Sequence, residues 1–129
     1  MAVHVLAVAV ATVTSFVISS IWYVGFARVL GRLNPAYADT AGRPAWLVPL
    51  ELLRAAVLGT VIAIACHRAG IDSVGSAVAA ALLAWVGFPV VLLAGSVLHE
   101  RVPWRLAAIH AGDWLLKLVA VTLIVGLWS

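Results

Sequence analysis

The sequence predicts an all-α integral membrane protein, a single-domain four-transmembrane-helix bundle with both termini outside. Composition gives the first reason: of 129 residues, 65% are hydrophobic and only 10% are charged. Soluble domains carry about 45–50% apolar and about 25% charged residues. Size gives the second, because a chain this short leaves much of its surface uncovered and needs lipid as the solvent for its apolar side chains. The third is patterning: the apolar residues gather into four stretches, each close to the roughly 20 residues that cross a hydrocarbon core. An open sheet edge cannot face lipid, so the stretches are helices. The same balance excludes a soluble globular domain, a disordered chain and a nucleic-acid partner. The bilayer is the expected partner, in a bacterial cytoplasmic membrane.

The first span covers about residues 3–27. No Lys or Arg precedes it, so it reads as a retained helix and not as a cleaved signal. Residues 28–44 hold Gly31, Asn34, Pro35, Gly42 and Pro44 and form the one sizeable loop. The second span runs over about 46–66, with Pro49 in its first turn, where a missing N–H costs little. Residues 67–76 form a short loop. The third span covers about 77–98, and Pro89 in its middle predicts a kink. A turn around Pro103 leads to the fourth span, about 106–128.

Orientation follows from the basic residues. Arg28, Arg32 and Arg43 lie in the first loop and Arg101 and Arg105 in the third, against Arg68 alone in the second. The first and third loops are therefore expected in the cytoplasm. Trp22, Tyr23, Trp46 and Trp104 then sit near the cytoplasmic interface, and Trp128 anchors the other end. Gly25, Gly59, Gly87, Gly95 and Gly112 would let helices approach closely. The single cysteine, Cys66, excludes an internal disulfide and reads as a small packing residue.

Function has to come from side chains that are costly in lipid. The second span carries Glu51 and Arg54; the fourth carries His110, Asp113 and Lys117. Such groups face a bundle interior and seek partners. The i, i+3, i+7 spacing of His110, Asp113 and Lys117 places them within about 60° on one helix face. At about 1.5 Å per residue, Glu51, Arg54, His110 and Asp113 lie roughly 6–14 Å from the starts of their helices. Ser19, Ser20, Trp22 and Tyr23 reach that level from the first span, and Ser96 from the third. A polar layer in the cytoplasmic half is expected.

Two accounts of this layer compete. In the bland one, two acids balance two bases, Lys117 pairs with Asp113 one turn away, and the charges only hold helix register. In the sharp one, the layer is a pocket. His110 is then the acid/base, because its ordinary pKa lies nearest neutrality. Asp113 orients it, and Glu51 is a second acid/base. Arg54 and Lys117 bind substrate, and Trp22, Tyr23 and Trp114 line the wall. Ser19 and Ser20 read as packing residues. One His and two carboxylates on different helices lack a metal-ligand spacing, and no cofactor is required.

Short motifs follow one another along the chain. Ile21-Trp22-Tyr23 is followed by Gly25-Phe26, and the third span holds Trp85-Val86-Gly87-Phe88. Then come His99-Glu100-Arg101-Val102-Pro103-Trp104, Ile109-His110-Ala111-Gly112-Asp113 and Gly126-Leu127-Trp128. This order resembles the DUF1761 family of small four-helix bacterial membrane proteins, most weakly between residues 34 and 75. The resemblance implies a four-helix membrane fold and brings no activity with it. It carries over to Trp22, Tyr23 and Glu100. An acid at Asp113 departs from the aromatic residue that the family often has near this position.

Three functions fit these residues. One is a cofactor-independent acid/base enzyme, an isomerase or cyclase, acting on a lipophilic small molecule. Another is a small proton-coupled transporter working as a homo-oligomer. The small multidrug-resistance transporters have this size, but they use a carboxylate in the first helix, which is absent here. The third is a non-catalytic accessory subunit.

Overall fold

The computed structural model describes residues 4–34 and 45–128. Expectations resting on Pro35, Gly42, Arg43 and Pro44 lie outside the described residues. Helix α1 spans Val5–Gly25 and α2 spans Ala27–Leu33. Then come α3 (Leu47–Ala69), α4 (Val74–Trp85), a π-helical turn (Val86–Val90), α5 (Val91–His99) and α6 (Trp104–Leu127). Helix α4, the π turn and α5 form one continuous span, Val74–His99. With α1, α3 and α6 this makes, among the described residues, four helices long and apolar enough to cross a membrane.

The ends follow local chemistry. Gly70 closes α3 with φ 69°, a left-handed conformation that suits glycine. Ser73 and Ser76 cap the start of α4 reciprocally. The third span therefore begins at Val74, three residues before the apolar run alone suggested. The expected interruption at Pro89 takes the form of the π turn. Proline has no N–H to donate, and a widened turn absorbs the missing bond. Residues 27–33, expected in a loop, are instead the short helix α2, whose Leu30 is buried against Leu106 and Ile109. That apolar contact outweighs the glycine at position 31.

Helix α6 is the hub. It packs on α1, α3, α4 and α5, and α1 packs on α3. The third span thus lies beside α6 on its own, while α1, α3 and α6 form a three-helix group. Small residues form the seams: Ala7, Ala11 and Ser15 on α1; Ala55, Gly59, Ala63 and Cys66 on α3; Ala77 and Ala81 on α4. Spacing by three or four residues lets backbones approach. A Cβ at Gly59 would touch Thr12 and Val8 of α1. By contrast, Gly25, Gly87 and Gly95 face open space, so the close approach expected of them does not occur. Leu6, Ile21, Leu83, Phe88 and Leu92 project outward, as lipid-facing side chains do.

Candidate functional site

The site sits where α1 and α6 run antiparallel. Tyr23 meets His110, Trp22 meets Ile109, and Ser19 meets Asp113. One face of α1 (residues 15, 19, 23) thereby opposes one face of α6 (residues 110, 113, 117). Helix α3 closes the third side. Between them lies a cleft of about 600 Å³. Of the predicted residues, Tyr23, Glu51, Arg54, His110, Asp113, Trp114 and Lys117 all line it.

Asp113 is the centre, with only 1% of its surface exposed. Its Oδ1 accepts from Ser19 Oγ at 2.7 Å. Its Oδ2 pairs with Lys117 Nζ at 3.0 Å and accepts from Tyr23 Oη at 3.5 Å. A carboxylate in an apolar span needs such partners. Lys117 also lays its ammonium over the Trp114 ring, 4.2 Å from the centroid. This cation–π contact offsets part of the lost hydration.

Tyr23 Oη and His110 Nδ1 share a hydrogen bond of 2.6 Å, whose direction depends on the tautomer. A phenol has one proton. If it goes to Nδ1, Asp113 receives none from Tyr23; if it goes to Asp113, Nδ1–H donates to the phenol. Lys117, Asp113, Tyr23 and His110 thus lie in one row with two proton arrangements, and only the one with Nδ1–H donating to the phenol bonds all four in series.

Glu51 and Arg54 stand apart. They pair with each other, Arg54 Nη1 to Glu51 Oε1 at 2.7 Å, on one turn of α3. Their side chains are 49% and 67% exposed respectively. They line the rim of the cleft and bond to each other rather than to α6 among the described residues. Both sit near the start of α3, where Ala27 and Leu30 of α2 line the same cleft.

Three expectations are corrected. Trp22 does not line the cleft. Its Nε1 donates to Ile109 O at 2.8 Å, and its ring lies over Gly112, where a Cβ would come within 2.5 Å of it. Ser96 does not join the layer; it bonds to Leu92 O of its own helix. Third, Ser19, expected only to pack, donates to Asp113. Its position four residues before Tyr23, on the same face of α1, was the available signal. Trp85 was missed altogether: its Nε1 donates to Ala111 O at 2.8 Å and ties the third span to α6. A tryptophan in mid-span needs an acceptor for its N–H, and that requirement could have flagged it.

Among the described residues, no three His, Cys, Asp or Glu side chains gather as a metal site. Four apolar spans with buried titratable groups between three of them define a multi-pass membrane protein. The sequence profile of DUF1761, described as a protein of unknown function, matches residues 6–126, and the chain belongs to this family. None of the curated proteins and none of the solved structures matches it.

Proposed function

We propose that the protein binds a lipophilic small molecule in the cleft between α1, α3 and α6 and performs acid/base chemistry on it, of the isomerase or cyclase type. One observation carries this reading: Lys117, Asp113, Tyr23 and His110 stand in series, 3.0, 3.5 and 2.6 Å apart, where α1 meets α6 along a 600 Å³ cleft. Pockets of roughly 300–1,000 Å³ with a few convergent polar groups are the usual form of small-molecule sites. Acid/base rearrangement needs a proton donor, an acceptor and a shaped apolar wall. His110 and Tyr23 are the exchanging pair, Asp113 orients them, and Phe16, Leu58 and Trp114 supply apolar wall. Arg54 and Glu51 guard the rim, with Glu51 available as a second acid/base. The arginines of α2 and the Arg101–Arg105 turn favour a cleft opening toward the cytoplasm of a bacterial cell, with both termini outside.

The test is a lipid profile. Membranes from cells expressing the wild type should differ in one lipophilic species from membranes carrying equal amounts of Tyr23→Phe or His110→Ala protein. Identical profiles from folded proteins would refute the reading. An accessory role is the second reading. Its support is that, among the described residues, no buried side-chain polar atom lacks a partner. It requires that Asp113→Leu/Lys117→Met keep the cellular phenotype.

A further inference from the structure

The chain contains one lysine and seven arginines. The lysine is the base placed deepest: residue 117 is near the middle of Trp104–Leu127. For an ion pair alone, arginine is the better residue, because its planar guanidinium binds a carboxylate through two parallel bonds and is weakly hydrated. Lysine adds what arginine lacks, a primary amine that can become a nucleophile. Its surroundings fit that use. The Lys117 side chain is only 13% exposed yet lines the cleft. Asp113 stands 3.0 Å from Nζ, and the Trp114 ring covers the ammonium. An ammonium has three N–H donors. Among the described residues, they meet one carboxylate and one ring face.

We infer that Lys117 captures a lipophilic aldehyde in this cleft as a Schiff base. This rests on the proposed binding of a lipophilic molecule and names its reactive group. Asp113 Oδ2 takes a proton from the ammonium, and the freed Nζ attacks the carbonyl carbon. The N–C bond forms while the carbonyl oxygen takes up a proton. The C–O bond then breaks and the oxygen leaves as water, with protons relayed through Asp113 and Tyr23. The sum is RCHO + Lys–NH3⁺ → RCH=NH⁺–Lys + H2O. Nothing is oxidised or reduced, and the positive charge stays on nitrogen. Asp113 therefore keeps a cationic partner before and after, so the site never holds an unpaired charge. Phe16 and Leu58 offer apolar wall to the hydrocarbon chain.

The experiment uses hexadecanal as probe on the full-length protein in lipid nanodiscs, with sodium borohydride to reduce any imine and peptide mass spectrometry to locate it. With one lysine in the chain, the competing amine is the N-terminus. Labelling at Lys117 is expected to exceed labelling of the N-terminal amine by about tenfold or more, since a bound carbonyl is presented at high effective concentration. Lys117→Arg, which keeps the charge beside Asp113, should lose the internal label. Equal or weaker labelling of Lys117 in the wild type overturns the inference, whether or not the variant folds. The lipid profile separates the two claims. Label without a profile difference refutes acid/base turnover and leaves carbonyl capture standing. A profile difference with Lys117 unlabelled does the reverse.

Discussion

Replacing Gly112 by alanine should destabilise the protein, against the sign that helix propensity alone predicts. Alanine is favoured over glycine in a helix interior by about 1 kcal/mol. The added Cβ, however, falls 2.5 Å from Cζ2 and 2.9 Å from Cη2 of Trp22. The indole cannot swing away freely, because Nε1 is bonded to Ile109 O at 2.8 Å and the ring packs on Phe26. Overpacking of this kind costs about 1–3 kcal/mol. Loss of the indole hydrogen bond adds about 1 kcal/mol. The balance is a net loss of about 1–3 kcal/mol. Unfolding in mixed micelles by dodecyl sulfate, followed by tryptophan emission, reads it. Trp22→Phe removes the six-membered ring that carries both crowded atoms. In that background Gly112→Ala should cost little, giving a coupling of about 1 kcal/mol or more. A stabilised Gly112→Ala protein, or the same cost in both backgrounds, refutes the reasoning.

Three further outcomes follow from other contacts of the bundle. Lys117→Met strands the Asp113 carboxylate and should cost about 3–5 kcal/mol, whereas Asp113→Leu/Lys117→Met together should recover most of it; Glu51→Gln, at the exposed rim pair, should cost no more than about 1 kcal/mol in the same unfolding assay. Trp85→Phe removes the donor to Ala111 O and should cost about 1 kcal/mol, with faster amide exchange along α4 but not along α3, which has no comparable contact with the third span.

Much of the site was legible before any tertiary contact was known. The spacing of His110, Asp113 and Lys117 put them on one face because helix periodicity is local. Tyr23 was placed at their level by span length alone. The i, i+4 spacing of Asp113 and Lys117 also allows their pairing, since residues four apart meet on a helix surface. The partner of each face was not legible. Nothing in the periodicity of α1 says that Trp22 turns toward Gly112 while Tyr23, one residue on, turns into the cleft. Nor does it separate Ser96, bonded within its own helix, from Ser19, bonded across to Asp113.

The sequence by itself determined that the chain crosses a membrane four times, and which few side chains are costly there. Run length and the price of desolvation are properties of the residues themselves, independent of neighbours. Only the tertiary structure decided that α6 is the hub, that the third span stays out of the cleft, and that Glu51 and Arg54 remain at the rim. In lipid, apolar helix faces have no hydrophobic preference for one another. The neighbours are chosen by close fit at small residues and by a few hydrogen bonds, such as Ser19 to Asp113 and Trp85 to Ala111. Such fits exist only once two helices meet.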